Sequence, residues 1–366
     1  MHLPLSPSLR LSFLRALCLC VSVVHLLGGS AFAQQAISRP VGYLVQTIPA
    51  GQTRSFSIPF DAALSRLAST VGRLTAAGPT TLENSAAGWT PGAFSTAASP
   101  YFVRLTSGTH TGRTFRISTA TANTATRLTL ADDGLDLTTL NLAVGPTGTA
   151  YEIIPGDTFA SFFGTTAPGD SLVVQGAADP LAADLVQVWG GAAWLSFYYN
   201  TTWSRWARDT DAITDPSRND FLLRSDRGLM ITRRASTPLT LAVVGRVLAT
   251  PQRAVHARTE NALTFLATMQ AGDTTLGALA LQNSDRTAGW RSSSDPAQAD
   301  TLLVWSGTTW FSFFHNNVTG HWQRVGDPTP DRDGYVIAAG TPVFVQRRTA
   351  GTTTADQTVS FPAPGT

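Results

Sequence analysis

The chain has no lysine, only three glutamates and only two cysteines, and each shortage narrows what it can be. Both cysteines, Cys18 and Cys20, fall within the first 33 residues. Beyond them there is no thiol to form a disulfide, a cysteine metal site or a nucleophile. Burial and hydrogen bonding therefore have to hold the fold. Leu17 and Leu19 precede the two cysteines, where lipid anchoring asks for a small residue. Without lysine, all 26 basic residues are Arg, set against 24 acidic residues. Arg10 and Arg15 belong to the N-terminal segment, so the remainder is formally neutral, without the basic footprint of a nucleic-acid or anionic-membrane binder. Nearly all the acidic residues are Asp, the exceptions being Glu83, Glu152 and Glu260. Asp favours turns and caps whereas Glu favours helices, so the bias points away from helix.

Long apolar runs are equally scarce. The one at residues 16–27 is shorter than the roughly 20 residues that a membrane-spanning helix needs. Behind Arg10 and Arg15, and ahead of Ala31-Phe32-Ala33, it has the layout of a secretory signal peptide. A buried N-terminal helix is the competing reading. Residues 1–33 are thus expected to be removed, with the mature chain starting near Gln34 and working in the periplasm, at the cell surface or outside the cell. No integral membrane segment is expected after cleavage.

What the sequence does contain is short strand-like runs divided by turn chemistry. Residues 41–47, 55–60, 101–106, 113–118, 127–130 and 151–154 are rich in Val, Ile, Thr, Phe and Tyr and bounded by Gly, Asp, Asn or Pro. Pro49-Ala50-Gly51-Gln52 reads as a turn. Helical patterns are few. Leu64, Leu67, Val71 and Leu74 fit a helical face behind a cap at Asp61, or else the chain enters a strand at Thr70. Asp157 and Asp273, each after a Gly, are expected to cap single helical turns.

An internal repeat is the most informative feature. Residues 155–206 align with 271–322 without a gap, matching Val188-Trp189-x-Gly191 to Val304-Trp305-x-Gly307 and Trp194-x-Ser196-Phe197 to Trp310-x-Ser312-Phe313. Asp179-Pro180-x-x-Ala183-Asp184 matches Asp295-Pro296-x-x-Ala299-Asp300, and Trp206 matches Trp322. After a shift of two residues, Leu229 to Arg234 corresponds to Val343 to Arg348, and each unit closes on a double Arg. The expected organisation is all-β: a signal peptide at 1–33, an N-terminal β domain at 34–154, and two homologous β-sandwich- or barrel-like modules at 155–250 and 251–366.

Val41-Gly42-Tyr43-Leu44, the run Tyr101 to Gly108, Thr111-Gly112-Arg113-Thr114-Phe115-Arg116-Ile117 and the Pro155-Gly156-Asp157 turn resemble an uncharacterised group of paralogous exported β-rich proteins of Verrucomicrobia and related bacteria. Its Trp-rich segment closing on Val/Ile-x-Arg-Arg is similar to both modules. The resemblance implies export and a β-rich fold, and it supplies no activity and no catalytic residues.

Several motifs carry chemistry on paper. Gly169-Asp170-Ser171-Leu172 spells a lipase and esterase nucleophile motif, but that chemistry needs an Asp-x-x-His for its base. None of His110, His256, His315 and His321 has Asp three places before it, so Pro168-Gly169-Asp170 reads as a turn. His315 and His321 lack a third metal ligand at useful spacing. Asp132-Asp133-Gly134-x-Asp136 and Asp327-x-x-x-Asp331-x-Asp333-Gly334 look like Ca²⁺ loops but lack the alternate ligands and closing Glu of an EF-type site, so both read as turns. No metal and no cofactor is expected. At the double Arg, alternation sends one side chain inward, where Asp184 or Asp300 would have to meet it.

Aromatic side chains supply the best binding candidates: Trp194, Tyr198 and Asn200 in the first unit, and Trp310, Phe314 and Asn316 in the second. Trp194, Ser196 and Tyr198 share one face of a strand, and Leu195, Phe197 and Tyr199 the other. Both faces are apolar, which suits a strand buried between two layers. Exposed, the same rings would make a flat platform for sugars. Repetition favours the core, because a core must be rebuilt in every module. The expected function is a structural or adhesive protein outside the cell, not an enzyme, whose partners would be polysaccharide or other surface proteins. A carbohydrate-binding protein is the alternative, and an exported hydrolase, for which no acid, base and nucleophile set can be assembled, comes third.

Overall fold

The computed structural model describes residues 40–363 apart from 62–69, 132–135, 249, 256–260, 284–289 and 349–357. The expected leader at 1–33 lies outside the described residues. The fold is all-β, with several small sheets, none of them closed into a barrel. The single α-helix among the described residues is Phe159–Phe163, capped by Thr158 and Ser161 through reciprocal hydrogen bonds rather than by Asp157. No described helix is long and apolar enough to cross a membrane.

Two five-stranded antiparallel sheets share one strand order. In the first it runs Arg205–Arg208, Trp194–Asn200, Leu185–Trp189, Leu229–Thr232, Thr53–Phe56, and in the second Trp322–Arg324, Trp310–His315, Thr301–Trp305, Pro342–Gln346, Leu263–Ala267. The pairing register agrees as well. Trp189 lies opposite Trp194 and Trp305 opposite Trp310, while Thr53 opposite Thr232 corresponds to Leu263 opposite Gln346. Each sheet has a small companion, three-stranded in one case, with Leu239–Val247 between Val41–Ile48 and Phe60–Asp61, and two-stranded in the other, Gln252–Val255 with Thr358–Phe361.

These pairings distribute the chain differently from the boundary expected at 154/155. Residues 41–56 are hydrogen-bonded to strands at 229–247, so the first sheet is assembled from both sides of the segment 70–155. That segment builds its own sheets. Thr70–Arg73, Ala150–Pro155, Ser99–Leu105 and Ser95–Thr96 pair in that order, with Thr114–Arg116 also on Ser99–Leu105, and a three-stranded sheet lies beside them. The residues around Asp61 expected to open a helix are a strand, Phe60–Asp61, on Arg246 and Val247, and Thr70–Arg73 takes the strand reading of the same ambiguous run. Gly112 lets the segment meet the second half of the chain. Its φ is +85°, and a Cβ there would come within 2.0 Å of the Pro251 carbonyl oxygen.

Each unit has its own apolar core. The first centres on Phe56, Phe159, Phe163, Phe197, Tyr199 and Trp206, the second on Leu302, Phe313, Trp322 and Val343, and that of 70–155 on Leu82, Val103, Leu105 and Ile153. Leu195, Phe197 and Tyr199 all face the first of these cores. Charges are buried in pairs between strands. Arg233 turns inward onto Asp184, and Arg347 lies 3.1 Å from Asp300. Both carboxylates also accept backbone N–H groups, from Gln175 and Arg234 in one unit and from Arg291 and Arg348 in the other.

A four-charge network ties the segment 70–155 to the first sheet assembly. Arg104 reaches both Asp61 and Glu152, with 3.1 Å to the latter, and Arg246 likewise reaches Asp61 and Glu152, with 3.0 Å to Glu152. All four side chains are buried. Two positive and two negative charges balance, and removal of one leaves an uncompensated buried charge, which costs about 3–5 kcal/mol. Asp61→Ala is therefore expected to destabilise the protein by about that amount in denaturant titration. A loss under about 1 kcal/mol, the size of an exposed pair, would show that the network is not closed as described.

Candidate functional site

The aromatic residues of the repeat sort into two groups by what covers them. Trp206 and Trp322 are fully buried cores of their own units, and the Trp206 indole donates to the Gly164 carbonyl oxygen at 2.9 Å. Trp189, Trp194, Trp305 and Trp310 are half-buried and meet across a seam between the two five-stranded sheets, around the buried Met230, Phe265 and Phe344. Trp194 packs edge-on against Phe265 at 5.3 Å, and Trp189 against Phe344 at 5.1 Å. Edge-to-face pairs at such separations each contribute about 0.5–1.5 kcal/mol beyond area burial.

Hydrogen bonds cross the seam reciprocally. The Trp189 indole donates to Leu263 O at 2.8 Å, and its counterpart Trp305 donates to Thr53 O at 3.4 Å. Ser57 N–H donates to Gly340 O and Ala267 N–H to Asp226 O, at 2.8 and 3.1 Å. Each pair consists of corresponding residues exchanged between the sheets, the signature of an isologous contact. Gly228 sits where the two halves approach closest. A Cβ there would lie 2.4 Å from that of Pro342 and 2.7 Å from the Phe265 ring.

At one edge of the seam lies a cleft of about 280 Å³, lined by Val188, Trp189, Gly191, Arg227, Gly228, Leu263, Thr264 and Phe265. The Asp226 carboxylate beside it accepts two hydrogen bonds from Arg224, at 2.9 and 3.1 Å, and lies 3.9 Å from Arg227. Burial opposes its ionisation, but the two guanidinium groups outweigh that and hold its pKa at about 2. A larger groove of about 450 Å³ follows Thr240 to Val244, with Asp61, Asp157 and Ser161 among its walls.

The six binding candidates, for which the core reading is favoured over a sugar platform, are not gathered on one exposed surface. Trp194 and Trp310 come together in the seam, each packed against Phe265 and Phe344. Tyr198, Asn200, Phe314 and Asn316 are buried. Asn200 donates to the Tyr198 hydroxyl and accepts from Trp203 N–H, both at 2.9 Å, and Asn316 donates to Gln323 and accepts from Val318 N–H. These asparagines fasten the turns that follow their strands. Gly169, with φ +87°, and Asp170, which accepts from Thr165 N–H at 2.7 Å, form a turn, and Ser171 is exposed beyond it.

One constellation escaped the sequence reading. His321, Asp331 and Asp333 each bring a ligand atom within 4.8 Å of the others, a grouping able to hold a divalent ion. The signal is their spacing across a turn, which only the fold closes. Asp327 points elsewhere, onto Arg324 and Arg332, residues 132–135 of the other Asp-rich run lie outside the described residues, and Asp136 caps a 3-10 turn at Leu137–Leu140. His315 uses its two ring nitrogens on Ser292 and Gly320. Asp333 also accepts from Trp322 N–H at 2.8 Å, and Asn219 does the same for Trp206 at 2.9 Å. No family model, curated protein or solved structure matches the chain.

The hydrogen bond from His321 to Asp333, at 2.8 Å, and then the charge of Asp331 raise the His321 pKa above its ordinary value of 6.5. Burial opposes ionisation of Asp333, but its donors His321 and Trp322 hold its pKa below the usual carboxylate range. The contribution from His321 to stability is thus complete below its ordinary pKa and fades as pH rises through the raised value, while that from Asp333 fades as pH falls through its depressed one. An NMR titration should place the His321 midpoint above 6.5. Asp333→Asn should lower that midpoint while leaving the Trp322 cap intact, as Asn219 does for Trp206. An unchanged midpoint would contradict the pairing.

Proposed function

We propose that the chain is an exported structural or adhesive protein of the bacterial surface or surroundings, akin to the Verrucomicrobial group it resembles, built around two copies of one β module. The observation that carries this reading is the seam. The repeated tryptophans, which would be the natural sugar platform, pack between the sheets and join them through reciprocal hydrogen bonds. Such a body withstands conditions outside the cell without disulfides, and its partners would be polysaccharide or other surface proteins. Carbohydrate recognition by the repeated aromatic residues themselves is the second reading, favoured by the fact that Trp189 lines an open cleft.

Two single variants separate the readings. Trp194→Ala and Trp310→Ala should each destabilise by about 2–4 kcal/mol, somewhat less than the loss on truncating a fully buried aromatic, and retain whatever glycan binding the parent shows. Thermal melts run beside a glycan screen give the answer. Unchanged stability with lost glycan binding would overturn the structural reading and promote the platform.

A further inference from the structure

The reciprocity of the seam breaks first at the corresponding positions Arg54 and Thr264. Strand register makes them equivalent, since each follows the residue that pairs with Thr232 or with Gln346. On one side the Arg54 guanidinium lies over the hairpin turn at Gly307 and donates to its carbonyl oxygen at 3.3 Å. A Cβ on Gly307 would stand 2.9 Å from that guanidinium. On the other side Thr264 is too short to reach the corresponding turn, and nothing lies within 4 Å of a Cβ placed on Gly191. The cleft of about 280 Å³ lies at that half of the seam.

A second exchange accompanies the first. Arg227 stands in the open half where Thr341 stands in the plugged half. In the open half the guanidinium of Arg227 thus comes from the opposite wall and does not cover the turn at Gly191. Arg227, 3.9 Å from the Asp226 carboxylate, is the charged side chain among the described residues that line the cleft, and a guanidinium there favours an anion over a second cation. The other walls are apolar or aromatic: Val188, Trp189, Leu263 and Phe265. The volume lies just below the roughly 300 Å³ at which small-ligand pockets begin, enough for one ring and not for a bulky ligand.

We propose that this open half of the seam is a binding site for an acidic saccharide unit, a sugar ring bearing a carboxylate, with Trp189 against the ring and Arg227 on the carboxylate. Indoles offer apolar area to the C–H faces of rings, and guanidinium matches carboxylate in a two-pronged geometry. The proposal rests on the second reading above, saccharide recognition at the cleft that Trp189 lines, and names its partner as a polysaccharide carrying uronate-type units.

The fold supplies its own blocking variant. Thr264→Arg installs in the open half the plug that Arg54 forms in the other, and Arg227→Gln removes the cation while keeping the wall. The probes are uronate oligosaccharides, their methyl esters and neutral oligosaccharides, titrated calorimetrically into the full mature chain. The parent should bind the uronates and prefer them at least tenfold over their esters. Thr264→Arg, at a buried position, should keep a cooperative melt and lose binding, and Arg227→Gln should melt with the parent, bind at least tenfold more weakly and lose the preference for acid over ester. Failure of the parent to bind any uronate would overturn the proposal. So would parent-like binding by both variants, which would leave adhesion standing but move it to another surface. Equal binding of acid, ester and neutral chains, abolished in Thr264→Arg, would keep the cleft as a saccharide site and overturn its acidic specificity.

Discussion

Each five-stranded sheet is apolar on both faces, so neither can leave one face in water. In the strand Trp194–Asn200, Leu195, Phe197 and Tyr199 are covered by the unit's own core, whereas Trp194, on the opposite face, packs against Trp189 of its own sheet and against Phe265 and Phe344 of the other. Exposed contiguous aromatic surface of this kind drives association. The chain satisfies that requirement internally, because the second sheet presents the same edge turned about a pseudo-twofold axis. Reciprocal hydrogen bonds from Trp189 and Trp305 fix the register of the contact, and Gly228 permits its closeness. The cleft, the plug at Arg54 and the partial burial of Trp189, Trp194, Trp305 and Trp310 all follow from this one contact.

Buried charge does a related task between units that aromatic packing does not join. Asp61 and Glu152 hold Arg104 and Arg246 at the junction of the segment 70–155 with the first sheet. Within each module the pairs Asp184–Arg233 and Asp300–Arg347 close the end of a strand while backbone N–H groups complete the carboxylates. Such networks stabilise little relative to apolar packing but penalise wrong arrangements heavily, since one misplaced member leaves a bare charge in the interior. In a chain without cysteine beyond its first 33 residues, that penalty supplies specificity of assembly that cross-links would otherwise impose.

Much of this was legible in the residues. The scarcity of Glu and the short β-branched runs indicated an all-β fold. Val188-Trp189 and Val304-Trp305, matched without a gap in the sequence, lie on the central strands of two sheets with the same strand order. Alternation at the double Arg sent one member of each pair inward, where Asp184 or Asp300 would have to meet it, and the inward members are Arg233 and Arg347. What stayed hidden depended on contacts distant in sequence. Thr53–Phe56 carries no local sign that its partner is Leu229–Thr232, on the far side of an entire sheet assembly. The alternation in Trp194, Ser196 and Tyr198 showed an apolar face without showing what covers it, so core burial was favoured over a sugar platform and a seam between two sheets was not foreseen. Asp331 and Asp333 meet His321 only because a turn folds back. Arg54 and Thr264 share no sequence likeness, and their equivalence exists only through strand register.

The central claim, that the two sheets are joined by their aromatic edges, is tested most directly by a double-mutant cycle on Trp194 and Phe265, one residue from each side of the seam. Stabilities of the parent, Trp194→Ala, Phe265→Ala and the double variant should give a coupling energy of about 0.5–1.5 kcal/mol, the strength of an edge-to-face aromatic pair. Strict additivity, within the roughly 0.3–0.5 kcal/mol expected of independent sites, would show that the two rings do not meet and that the seam is not what holds the modules together.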